Sequence, residues 1–125
     1  HQPVEQLVSL RAIPGLVVLR PADANEVVEA YRLVMPLRHE PAVLALSRQP
    51  LPTFDRAKYA SAAGLARGAY VMADAPGGAP EIILIASGSE VALIVDAYER
   101  LAERGVRARI VSMPSWDLFE QQPAS

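Results

Sequence analysis

The chain has 125 residues, 51% of them hydrophobic, and a net charge of −2 with acids and bases interspersed. That is ample material for a core and the wrong composition for a disordered segment, and it leaves no electrostatic footprint for nucleic acid or an anionic membrane. Cysteine is absent, which excludes disulfides, thiolate nucleophiles and cysteine-held zinc, and no apolar run approaches the roughly 18 residues a membrane helix needs.

The sequence opens without Met on His1-Gln2-Pro3-Val4-Glu5-Gln6, a loop-to-helix run that reads as cut from a longer protein. Pro3 suits the first turn of a helix reaching Arg11. Leu16-Val17-Val18-Leu19 is a short continuous apolar run, the signature of a strand buried on both faces. After Arg20-Pro21, Asp23 with Glu26 three residues later gives a capping-box start to a helix. Val27, Tyr31 and Val34 form its predicted apolar stripe, with Glu26, Glu29 and Arg32 off it. Pro36 ends that helix, His39 falls in the following loop as a solvated residue, and Ala42 to Leu46 is the next buried strand.

Pro50 and Pro52, followed by an Ala-rich run from Ala57 to Ala66, mark residues 49–66 as a connection between two domains. Tyr70-Val71-Met72 reads as a short strand and Pro76 to Pro80 as a surface turn. Ile82 to Ala86 is a second buried strand, with Ser87-Gly88-Ser89-Glu90 as turn and helix cap. Val91, Ile94, Tyr98 and Leu101 make the helix stripe, Gly105 the C-terminal cap, and Val106 to Met113 the returning strand. Trp116 and Phe119, at helical spacing after Pro114-Ser115, read as packing residues. Strands alternating with helices imply parallel pairing through right-handed crossovers, an α/β class built from two incomplete strand–helix–strand units. Each half is too small to cover both faces of a parallel sheet, so apolar faces should stay open unless other segments or subunits cover them.

Ligands of open α/β sheets sit beyond the carboxyl ends of the strands. Ser47-Arg48-Gln49 directly follows the strand ending at Leu46, and the planar guanidinium of Arg48 suits bidentate phosphate binding. Read from the residues alone, an exposed arginine in a surface ion pair is the simpler account. Imidazole titrates near pH 6.5, so His1 can exchange a proton with a substrate hydroxyl, although a loop histidine capping the next helix is an equal reading. The single glycine of Ser87-Gly88-Ser89-Glu90 is a weak anion-site signal, and Glu90 would repel an anion.

The runs His1-Gln2-Pro3-Val4-Glu5-Gln6-Leu7, Arg20-Pro21-Ala22-Asp23-Ala24-Asn25-Glu26, Ala45-Leu46-Ser47-Arg48-Gln49, Gly68-Ala69-Tyr70-Val71, Ile85-Ala86-Ser87-Gly88-Ser89-Glu90-Val91 and Ala108-Arg109-Ile110-Val111-Ser112-Met113-Pro114-Ser115 closely resemble the transketolase family, in order and along essentially the whole chain. The resemblance implies part of a cytoplasmic thiamine-diphosphate enzyme of the pentose phosphate pathway. Such an enzyme moves a two-carbon ketol unit from a ketose phosphate to an aldose phosphate. It implies that residues 1–66 are the latter part of the pyrimidine-binding middle domain with its linker, and residues 67–125 the first part of the C-terminal domain. It implies that His1 is a catalytic and substrate-binding residue near the reacting carbons, and that Arg48 grips the substrate phosphate.

It also implies a parent that binds thiamine diphosphate with a divalent cation, Mg or Ca, and works as a homodimer. The diphosphate and metal motif and the cofactor-activating glutamate belong to segments outside this sequence. No cofactor-binding or metal-ligating residue is therefore expected here, and the isolated chain is expected to bind neither group and to be inactive. Two alternatives stay open: another thiamine-diphosphate enzyme such as deoxyxylulose-phosphate synthase, and a non-catalytic assembly or regulatory module.

Overall fold

The computed structural model describes residues 4–123. Pro3, where the first predicted helix begins, and His1 before it lie outside the described residues, and the helix observed, α1, spans Gln6–Arg11. The apolar run that follows forms β1 (Val17–Leu19), buried on both faces as its composition predicts. The chain then turns at Pro21 into α2 (Ala24–Val34).

The start of α2 is built by the predicted capping box. Asp23 is extended and its side chain accepts from the Glu26 N–H at 2.8 Å, while Glu26 Oε2 accepts from the Ala22 N–H at 2.8 Å. The buried face is rotated from the expected stripe. Glu26 and Ala30 are fully buried, with Leu33 and Val34 packed beside them, whereas Tyr31 is half exposed. A carboxylate can occupy that inner face because its oxygens find donors there.

β2 (Ala42–Leu44) lies parallel to β1 in the register Val17↔Ala42, Val18↔Val43, Leu19↔Leu44. It is half-buried rather than covered on both faces. Both strands therefore point their carboxyl ends to one edge.

The second half forms a separate three-stranded sheet in the order β3 (Tyr70–Ala73), β5 (Ala108–Ser112), β4 (Ile82–Ala86). β4 and β5 are parallel and joined by the crossover helix α3 (Glu90–Glu103). Gly105, at φ +74°, ends that helix while the Val106 N–H donates to the Leu101 carbonyl, as the capping glycine predicts. β3 departs from the all-parallel expectation and runs antiparallel to β5. Only the turn through Pro76–Pro80 separates β3 from β4, too short for a crossover, so the chain must reverse.

β4 is not a strand buried on both faces. α3 covers one side through Val91 and Val95, while Ile83 (50% exposed) and Ile85 (59%) face outward with Val71. The open apolar face anticipated from the small size of each half is present.

Residues 49–66 connect the two halves and also pack into them. Phe54 and Tyr59 are buried and meet edge to face, centroids 6.0 Å apart, in a core with Ala22, Tyr70, Met72, Val91, Val95 and Ile110. Ser61 caps a 3₁₀ helix (Ala62–Arg67) that inserts Leu65 between Val17, Leu19 and Ala30. The last helix, α4 (Trp116–Glu120), returns to the first sheet, where the Asp117 carboxylate accepts from the Val18 N–H at 3.0 Å. Trp116 and Phe119 are half exposed, and the Arg11 guanidinium stacks on the Trp116 ring at 4.2 Å. The two halves are thus knitted together by side chains from both.

Candidate functional site at the carboxyl edge of the first parallel pair

The β1–β2 ladder ends where the Ala45 N–H donates to the Leu19 carbonyl at 2.8 Å. Beyond it the chain lifts away from the sheet. Leu46 is half exposed, Ser47 half-buried, and Arg48 and Gln49 are exposed. This loop and the first turn of α2 border a cleft of about 240 Å³, with Ser47, Gln49 and Thr53 on one side and Asp23, Ala24 and Val27 on the other. Arg48 stands at its rim in sequence, between two of the lining residues.

Among the described residues no carboxylate lies within ion-pair distance of Arg48. The surface ion pair that is the simpler account of an exposed arginine is therefore not formed with any of them. The exposed guanidinium keeps its donors unpaired by any described carboxylate. The other predicted site residue, His1, lies outside the described residues.

Two arginines that received no role from the sequence organise the surroundings. Arg20, at the carboxyl end of β1, reaches across to the second half. It forms a two-pronged ion pair with Glu90 and donates to the Ser87 carbonyl at 3.3 Å. Its hydrogen bond holds the Glu90 carboxyl below the usual glutamate range. Arg20 also occupies the space beside Gly88, where a Cβ would meet its side chain, and Ser89 makes no cap bond to α3. The Ser87–Glu90 turn is therefore filled by the protein's own arginine. The signal for Arg20 was its position: it follows a strand at the same edge as Arg48.

Arg56 is the second. Its Nη2 donates to both oxygens of Asp23 at 2.9 Å, and its Nη1 donates to the Ala60 carbonyl and to the Tyr70 hydroxyl. Burial works against the Arg56 charge, and Tyr70 and Asp23 outweigh it, so its pKa lies above the ordinary arginine value. Tyr70 in turn donates to Glu26 Oε1 at 2.7 Å, and Ser112 donates to the same oxygen at 2.6 Å. Burial first, and then the Glu26 carboxylate, push the Tyr70 phenol far above its ordinary value. Asp23, Arg56, Tyr70, Glu26 and Ser112 form one polar network, buried except at Arg56, that meets the cleft at Asp23. Nothing in the local sequence marks Arg56, because its side-chain partners, Asp23 and Tyr70, are 33 and 14 residues away.

Two family descriptions match the chain: "Transketolase, pyrimidine binding domain" over residues 1–53 and "Transketolase-like TK C-terminal domain" over residues 68–125. The transketolase of Halalkalibacterium halodurans is 54% identical over 124 residues, 99% of this chain and 18% of that protein. That of Geobacillus stearothermophilus is 50% identical over 125 residues, 100% of this chain and 19% of that protein. Among solved structures, Leishmania mexicana transketolase superposes with a TM-score of 0.85 at 43% identity, covering 98% of this chain and 18% of that one. A Pichia stipitis transketolase variant in complex with fructose 6-phosphate gives 0.86 at 39% identity, with the same coverage. The chain spans about a fifth of the length of the curated relatives it matches. By these matches, which run along nearly all of its residues, the chain belongs to the transketolase family.

Proposed function

We propose that this chain supplies the sugar-phosphate end of a transketolase active site, with Arg48 as the phosphate clamp and His1 assisting proton transfer at the substrate's reacting carbons. The observation that carries the reading is an exposed Arg48 on the loop leaving the carboxyl edge of a parallel strand pair, with no carboxylate partner among the described residues. The complexes of relatives with fructose 6-phosphate and sedoheptulose 7-phosphate support a phosphorylated sugar as the ligand. The whole enzyme would transfer a two-carbon ketol unit between sugar phosphates in the cytoplasm, as a homodimer. Residues 1–66 would belong to its pyrimidine-binding domain and residues 67–125 to its C-terminal domain. The gap between the two family matches, at residues 54–67, supports that division.

The family implies thiamine diphosphate, held in the whole enzyme with a divalent cation. Among the described residues, the glycine-containing turn before α3 is filled by Arg20 and Glu90. The part we assign to the described residues is substrate recognition.

In the full-length enzyme, Arg48→Ala should lower kcat/KM for a phosphorylated ketose about 10- to 100-fold, the worth of a charge-assisted hydrogen-bonded pair. An unphosphorylated ketose should be nearly unaffected. Steady-state kinetics with both substrates checks this, and equal losses for the two would remove the clamp.

A further inference from the structure

Among the described residues, the span that carries Arg48 is held by hydrogen bonds only at its two ends, although Ser47 and Leu51 within it are half-buried against the cleft. Among the described residues, no hydrogen bond of any kind is made by residues 46–53. The near end is the Ala45 bond to Leu19. The far end is Phe54, whose N–H donates to Asp23 Oδ2 at 3.0 Å and whose carbonyl accepts from Asn25 Nδ2 at 3.2 Å. Asp23 is itself immobilised: its side chain is fully buried, gripped by both bonds from Arg56 and by the Glu26 N–H. Between Arg48 and this anchor lie Pro50 and Pro52, which fix their own φ and confine Gln49 and Leu51 before them to extended backbone, so the span is stiffer than a chain without prolines.

We propose that Asp23, locked by Arg56 and aided by Asn25, is a positioning residue that sets where Arg48 presents its guanidinium. The inference rests on Arg48 being the phosphate clamp. Asp23 needs no contact with substrate for this. It fixes the far end of the loop, and the prolines carry that fixity to Arg48. A clamp of planar geometry is sensitive to such placement, since bidentate pairing demands both direction and distance.

The test uses the full-length holoenzyme and four variants: Arg48→Ala, Asp23→Asn, Asn25→Ala and Arg48→Ala combined with Asp23→Asn. Asp23→Asn is expected to raise KM for a phosphorylated ketose about three- to tenfold, the worth of a lost hydrogen bond. Its kcat and its kinetics with an unphosphorylated ketose should stay near those of the parent. Asn25→Ala should shift KM in the same direction by less. In the double variant, Asp23→Asn should add nothing to Arg48→Ala. A merely structural role would lower the folded fraction, cutting the rate on both substrates alike and leaving KM unmoved.

If Arg48→Ala is selective for the phosphorylated substrate but Asp23→Asn is not, the positioning role is overturned and the clamp stands. If Arg48→Ala is itself unselective, the clamp falls and the positioning role falls with it. Should Asp23→Asn fail to fold, Asn25→Ala decides, because Ala is well tolerated in the first turn of α2: a selective rise in KM supports the role and an unchanged KM overturns it.

Discussion

At the scale of single residues, Glu26 is fully buried because donors from Ala22, Tyr70 and Ser112 replace the water its carboxylate loses. Two of those partners are 44 and 86 residues away, beyond any local pattern. Asp23 was legible, since a cap is a local device. Its second role, binding Phe54 and Arg56, was not.

The Arg20–Glu90 pair yields a prediction with a definite sign. The folded Glu90 carboxyl titrates below the ordinary value of 4.5, so the pair's contribution is present above that pH and lost as pH falls through the folded value. Glu90→Gln should therefore lower the urea midpoint at pH 7, modestly for so exposed a pair, and the gap to the parent should narrow as the pH is taken progressively below 4.5. Urea unfolding followed by circular dichroism at pH 7 and through that acid range checks it. A gap that persists in acid would assign the effect to something other than this charge.

Among the elements, the capping box of α2 and the glycine after α3 were readable because each is decided within a few residues. The stretch 49–66 was not. Its prolines and small residues suggest a linker, yet Phe54, Tyr59, Ala62 and Leu65 are all buried. Scattered apolar residues at irregular spacing have no period to reveal which way they face. Leu65 makes the distinction measurable. It is fully buried between β1 and α2, so Leu65→Ala should cost about 2–5 kcal/mol, readable as a fall in the denaturation midpoint. A loss within about 0.5 kcal/mol, typical of exposed positions, would return this segment to the status of a linker.

For the molecule as a whole, two small sheets each pack into their own core and leave apolar surface open. Val71, Ile83 and Ile85 line the outward side of the second sheet, and Val28, Tyr31 and Met35 are exposed along α2. Contiguous apolar surface of this kind drives association in water. The 125-residue chain should therefore self-associate with rising concentration, and replacing Ile83 and Ile85 together by Thr should weaken that while keeping strand propensity. Sedimentation velocity over a range of concentrations decides. A parent that stays monomeric throughout would show that this face is better satisfied than its exposure indicates.

The sequence by itself determined the α/β class, the strand and helix order, the two crossovers and the exposed position of Arg48 beyond a strand end, since these depend on period, capping and chain direction over short spans. Tertiary structure alone decided the antiparallel β3, the rotation of α2 that buries Glu26, the packing of the supposed linker and the anchoring of the Arg48 loop by Asp23 and Arg56. Each of these turns on partners tens of residues apart, where burial and hydrogen-bond satisfaction outweigh local preference.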